Sequence, residues 1–274
     1  MINEDYFQKI DCQEKAYFIG FIAADGYIHS NGYKLVFGLN IKDRELLEKF
    51  CYHTKCTNKI CKYKTFDKRT KKYYYKASLQ ICSKKFVHSL KQYGLDNNKT
   101  KNYIIQNIPK KYIKDCIRGL MDGDGSIYKN GINLITTKEN IEYIKLYLKD
   151  IKVNDYIEEI QKKKNVHKMY IYKDRERFLD HIYENSSIFL ERKYKKYLET
   201  KDLIKNRTRI VRNREVIAYE NDIEIGRYNS LLECAESLNI KACGISNVLA
   251  GRIKHTHGYF FVSGNLNKVE RKKQ

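Results

Sequence analysis

The chain has 274 residues, enough for one large or two modest domains, and 42% of them are hydrophobic, so a core can form. It carries 54 Lys and Arg against 33 Asp and Glu, a formal net charge of +21 that points to a polyanionic partner, nucleic acid first. No apolar run approaches the roughly 20 residues of a spanning helix and no signal peptide is legible, so no membrane association is expected and an intracellular setting is.

In chain order, residues 13–24 are apolar or small enough for a buried helix that ends at Asp25-Gly26. Asn31-Gly32 then sits between short β-prone segments, a strong hairpin signal. An amphipathic helix is expected over 41–50, strands over 60–66 and 73–81, and a helix from Lys84 to Tyr93. The same series recurs. FIGFIAADGYI at 18–28 has its echo in IRGLMDGDGSI at 117–127, and Asn130-Gly131 follows Asp124 at the spacing of Asn31-Gly32 after Asp25. A helix at 137–148, strands at 156–161 and 166–172 and a helix at 175–183 complete the second copy. The halves are placed at 1–105 and 106–200.

Both copies put an acid at the end of a helix with small residues one turn apart, Gly20 and Ala24 in one, Gly119 and Gly123 in the other. Such a stripe lets two helix backbones approach closely. Gly26 and Gly125 read as left-handed caps after each helix. A carboxylate in the last helical turn opposes the helix dipole, and local rules are broken most often at functional sites. If the stripes pack together, Asp25 and Asp124 meet at one end of the interface. Paired carboxylates suit a hard divalent cation, Mg²⁺ or another such as Mn²⁺, that also takes phosphate oxygens. In a chain of this charge, metal-assisted phosphodiester hydrolysis follows. The run Cys51, His53, Cys56, Cys61 lacks common zinc spacing, and the 8 cysteines contain no CxxC pair, so they read as reduced thiols.

FIGFIAADG (18–26) and IRGLMDGDG (117–125) resemble the two motifs of single-chain LAGLIDADG homing endonucleases. The resemblance covers about residues 10–200. It implies an α+β fold in which two pseudo-symmetric αββαββα subdomains form a saddle over the DNA major groove, acting as a monomeric pseudo-dimer. It implies that Asp25 and Asp124, with backbone near Ala24 and Gly123, hold the metals. It implies that Lys99 and Lys193 approach the active site, and that polar residues after the second strand, Asn40 in one half and Thr136 and Thr137 in the other, lie near DNA or metal-bound water. The function implied is site-specific cleavage of double-stranded DNA. An RNA-binding maturase of the same fold, acting on its host intron, and a non-catalytic regulator are the alternatives.

Residues 201–215 carry six Lys and Arg and two acids, and read as a basic linker or extended arm in which Arg207, Arg209 and Arg212 track phosphates. Residues 216–264 read as a small module: a hairpin around Glu220–Asp222, a helix capped by Ser230 with Glu233, a turn at Asn239-Ile240, a second helix from about Cys243 to Ala250 and a last strand in GYFFV. The unit resembles the helix-turn-helix DNA-binding repeats attached to intron-encoded nucleases, which places Ser246, Asn247, Arg252 and Lys254 near DNA. Residues 265–274 form a basic tail.

Overall fold

The computed structural model describes residues 1–97, 103–161, 166–212 and 215–264; of residues 161, 166 and 202–212 it describes the backbone only. In the first half α1 (Gln13–Asp25), β1 (Gly26–Ile28), β2 (Lys34–Asn40), α2 (Arg44–Thr54), β3 (Cys61–Asp67), β4 (Lys72–Cys82) and α3 (Lys84–Ser89) follow in order. In the second come α4 (Ile113–Asp124), β5 (Gly125–Tyr128), β6 (Gly131–Thr136), α5 (Lys138–Asp150), β7 (Tyr156–Gln161), β8 (Val166–Ile171) and α6 (Arg175–Tyr183). Both sheets are antiparallel with the same strand order, β1-β2-β4-β3 and β5-β6-β8-β7. The repeated αββαββα order expected from the sequence is therefore present twice.

Alternation explains how each sheet is covered on one side. Leu35, Phe37 and Leu39 of β2 and Ile132 and Leu134 of β6 are buried in the common core, while their neighbours are more exposed. Helix α1 is buried from Ala16 to Ala23. A helix so widely apolar belongs inside the protein, and its partner is α4. The two helices touch through backbone. A Cβ on Gly20 would collide with the Cys116 carbonyl oxygen and stand 2.9 Å from Leu120 N; one on Gly119 would collide with the Tyr17 carbonyl oxygen and stand 2.7 Å from Phe21 N. The small-residue stripe of the sequence is thus the seam of the pseudo-dimer.

Four local expectations change. Gly26 (φ −76°, ψ 144°) and Gly125 (φ −84°, ψ 167°) are extended rather than left-handed. The chain passes straight from helix into strand, and glycine is needed there for space: a Cβ on Gly26 would stand 2.8 Å from the Ile22 carbonyl oxygen, and one on Gly125 2.5 Å from that of Met121. The second hairpin turns at Lys129-Asn130, because Tyr128 already pairs with Gly131. The helix expected over 84–93 ends at Ser89, followed by a 3₁₀ turn at Lys91–Tyr93 and left-handed Gly94 (φ 82°). The extended arm is instead the far end of α7, Glu191–Arg212. That stretch contains neither Pro nor Gly and is rich in Lys, Arg and Glu, which are good helix formers.

The chain divides into two compact units, residues 1–200 and 201–274. In the second, β9 (Val216–Glu220), β10 (Ile223–Tyr228), α8 (Leu231–Ser237), α9 (Ala242–Leu249) and β11 (Tyr259–Ser263) follow α7, and the strands pair in the order β10-β9-β11. Asn221 and Asp222, both at positive φ, make the tight turn of the β9–β10 hairpin. Ser230 Oγ accepts the Glu233 N–H (3.1 Å) at the start of α8. Val216, Ala218, Cys234, Ile245 and Phe261 form this unit's own core. Among the described residues, no helix is long and apolar enough to cross a membrane.

Candidate active site

Asp25 is the last residue of α1 and Asp124 the last of α4, and both are exposed. The close seam between the helices brings their ends together. A Cβ on Gly123 would collide with the Ala24 Cβ and stand 3.4 Å from Asp25 Oδ2, so the Asp25 carboxylate lies beside the opposite helix, one residue from Asp124. Ala24 and Gly123, expected to lend backbone to the site, face each other across the seam. Two carboxylates flanked by backbone form a hard oxygen donor set. No group of three or more His, Cys, Asp or Glu that could hold a metal ion occurs among the described residues.

Lys193, in the first turn of α7, reaches the same place. Only 3% exposed, it donates through Nζ to the carbonyl oxygens of Met121 (2.7 Å), Gly123 (3.2 Å) and Gly125 (2.7 Å). These are carbonyls at the end of α4 and just beyond, where a cation is favoured by the dipole. Burial lowers the Lys193 pKa to about 8, against the opposing pull of Asp122, Asp25 and Asp124. Lys99, its expected counterpart, lies outside the described residues.

The sequence reading missed a buried polar cluster behind Lys193. Asp122, fully buried, accepts from Tyr17 Oη (2.8 Å), Tyr183 Oη (2.5 Å) and Leu190 N–H (2.7 Å). Burial raises its pKa, and the hydrogen bonds and Lys193 oppose the rise. Arg118, also fully buried, donates to Asp115 Oδ1 (2.8 Å), Ile182 O (2.7 Å) and Ile188 O (2.9 Å). Nearby, Arg192 Nε meets both oxygens of buried Asp43 at 3.0 and 3.1 Å, tying α7 to the first half. An Asp and an Arg inside a mostly apolar helix were the available signal, because such groups are buried only when paired.

The polar residues after the second strands have structural work. Register makes Asn40 equivalent to Thr137 and Leu39 to Thr136, since Gly26 pairs with Phe37 and Gly125 with Leu134. Asn40 is exposed, and its Oδ1 accepts the Lys42 N–H (3.0 Å) to cap the next turn. Thr137 Oγ1 caps Asn140 N (3.4 Å) and donates to Tyr103 O (2.9 Å). Thr136 is 7% exposed with Oγ1 2.7 Å from Tyr103 Oη. The expectation of DNA contact fails for Thr136 and Thr137, because the pleat turns Thr136 to the core and both hydroxyls are used inside the protein. Burial, with Asp124 adding to it, holds the Tyr103 hydroxyl well above the usual tyrosine range.

In the second unit Ser246, Arg252 and Lys254 are exposed, and Arg252 Nη1 donates to Asn247 Oδ1 (3.2 Å). Arg207, Arg209 and Arg212 are helical, and their side chains lie outside the described residues. Cys51 and Cys56 close the end of α2, where the Cys56 N–H meets the Cys51 carbonyl oxygen (2.8 Å). Burial and the neighbouring Cys56 push the Cys51 thiol up to about 12.

The solved structures similar to this chain include the homing endonuclease I-WcaI bound to its DNA recognition sequence, at TM-score 0.51 and 22% identity over 70% of this chain and 90% of that one. They include the meganuclease I-SmaMI bound to uncleavable DNA (0.49, 13%, 71% and 90%) and full-length DUF199/WhiA from Thermatoga maritima (0.40, 21%, 76% and 72%). Among curated proteins nothing matches. A family model described as the DNA endonuclease I-HmuI-like, NUMOD-like domain matches residues 221–262. The chain thus joins the fold of the single-chain LAGLIDADG homing endonucleases to a segment similar to the NUMOD-like domain of I-HmuI-like DNA endonucleases.

Proposed function

We propose that this protein is a site-specific double-strand DNA endonuclease that uses Mg²⁺ or a similar divalent ion such as Mn²⁺. The observation that carries the reading is that the Asp25 carboxylate lies against Gly123, next to Asp124, at the end of the α1–α4 seam, with buried Lys193 hydrogen-bonded to the same helix end. Asp25, Asp124 and backbone near Ala24 and Gly123 would hold the ion. When bound, it would draw charge from a scissile phosphodiester. The chain's own residues supply the rest. Each carboxylate is fixed by a helix end, so the pair cannot drift apart while the seam holds. The Lys193 ammonium balances the acids and braces the end of α4. The open sheet faces present polar side chains such as Asn40, Lys76, Ser78 and Gln80 on one half and Asn133 and Lys168 on the other, at the register of groove-reading strands. That the similar homing endonuclease I-WcaI is bound to its DNA recognition sequence supports duplex DNA as the substrate.

The experiment is selection of cleaved molecules from a randomised duplex library with Mg²⁺ or with EDTA, followed by sequencing of the ends. The expected result is one long, nearly unsymmetrical recognition sequence, cut on both strands only with the ion. Binding without cutting in Mg²⁺ and Mn²⁺ would leave a regulator instead. Tight binding of a structured RNA without DNA cleavage would leave a maturase.

In the second unit, Ser246, Asn247, Arg252 and Lys254 would contact DNA beyond the nuclease core, and Arg207, Arg209 and Arg212 would follow phosphates. A chain ending after Arg212 should keep cleavage while losing the module's contacts. Its footprint on the selected target should shrink on one side only, because the module occurs once. An unchanged footprint would mean the module binds elsewhere.

A further inference from the structure

The second motif carries a buried acid behind its active end where the first motif has Ala23. Asp122 accepts the Leu190 N–H, and the Leu190 carbonyl oxygen in turn accepts the N–H groups of Lys193 (2.9 Å) and Tyr194 (3.0 Å). Lys193 Nζ then returns to α4 through Met121, Gly123 and Gly125. A closed circuit runs from α4 through Asp122 and Leu190 to Lys193 and back to α4. Tyr17 of α1 and Tyr183 of α6 fix the carboxylate at the head of that circuit. Helix α1 has no such group: by alignment of Gly20 with Gly119, Ala23 stands at the position of Asp122 and Cys116 at that of Tyr17. The matching turn of α1 is buried without an acid, Ala23 being 3% exposed, so the helix turn as such does not require one.

We propose that Asp122 is a positioning residue for Lys193 and that, being present in one half only, it acts on cleavage of one DNA strand rather than both. This rests on the endonuclease reading. Lys193 Nζ is hydrogen-bonded to the second copy's helix end, so misplacing it disturbs chiefly the scissile phosphate nearer that half. A shift of about 1 Å in a catalytic group costs about 100-fold in rate.

The test uses the full chain and a duplex that the wild type cuts, each strand carrying its own fluorophore, at saturating enzyme and in single turnover. Asp122→Ala should slow nicking of one strand about 100-fold and the other little, so a nicked intermediate accumulates. Asp122→Asn keeps an oxygen for the Leu190 N–H and should recover part of the loss. Lys193→Met should slow the same strand, and adding Asp122→Asn to it should change little further, because two residues acting as a unit are not additive. Thermal melting reports folding; if Asp122→Ala does not fold, Asp122→Asn and Tyr183→Phe carry the comparison. Equal slowing of both strands, no slowing in folded variants, or full additivity with Lys193→Met would each overturn the proposal. A wild type that cuts no duplex is a separate result, which overturns the endonuclease reading itself.

Discussion

Asp25→Asn and Asp124→Asn should each abolish double-strand cleavage while the protein still folds and still binds its target. Both carboxylates are exposed at helix ends, so the isosteric amide removes charge without opening a cavity. Stability should hold or rise slightly, because an acid in the last helical turn opposes the dipole and the two anions repel. Loss of a charged ligand from a divalent site removes several kcal/mol of charge stabilisation, which is about three orders of magnitude in rate. Binding in EDTA should be unchanged or tighter, since the amide no longer faces phosphate as an anion. Cleavage assays with each strand labelled, beside anisotropy with the same duplex, separate the two effects. Wild-type rates in both variants would remove the acids from the mechanism.

The repeat made the fold legible. One Asp-Gly after an apolar helix is an ordinary turn, but two at matched spacing from Asn-Gly and from later strands define a doubled architecture. Period-2 and period-3.6 patterns then placed most elements within a few residues. What the sequence hid was non-local. Tyr17 and Asp122 are separated by 105 positions and Leu190 and Asp122 by 68, so no window of the chain shows their bonds. Thr136 looked like a groove residue because its face is set by pairing with β8, where it sits opposite His167. The family resemblance points to Lys193 by its place after the last helix of the repeat. That it is buried on three carbonyls, rather than extended toward solvent, follows from α7 packing, which composition does not encode. The glycines after each motif were recognised for the wrong reason: turn propensity suggested left-handed backbone, while the structure requires only the absence of Cβ.

That distinction matters most in the seam, where Gly119→Ala should lower stability by about 3 kcal/mol. Helix propensity alone gives the opposite sign, because alanine gains about 1 kcal/mol over glycine in a helix interior. Space decides. The added methyl would collide with the Tyr17 carbonyl oxygen and approach Phe21 N at 2.7 Å, and backbone atoms of a buried helix cannot rotate away as a flexible side chain would. Relief requires α1 and α4 to move apart, which opens the core along Tyr17, Phe21, Cys116 and Leu120 and separates Asp25 from Asp124. For a unit of this size, a loss of about 3 kcal/mol lowers the melting temperature by about 6–12 °C. Gly32→Ala is the matched control. Its φ of +73° is left-handed and nothing stands near its Cβ, so the cost is only the conformational one, about 1–2 kcal/mol. Calorimetry of the two variants therefore separates steric from conformational roles of glycine in one chain. The seam variant should also cut more slowly at temperatures where it remains folded, since the two acids proposed to hold the metal are farther apart. A melting temperature for Gly119→Ala at or above that of the wild type would show that the helices do not meet through backbone, and the pairing of the two acids would fall with it.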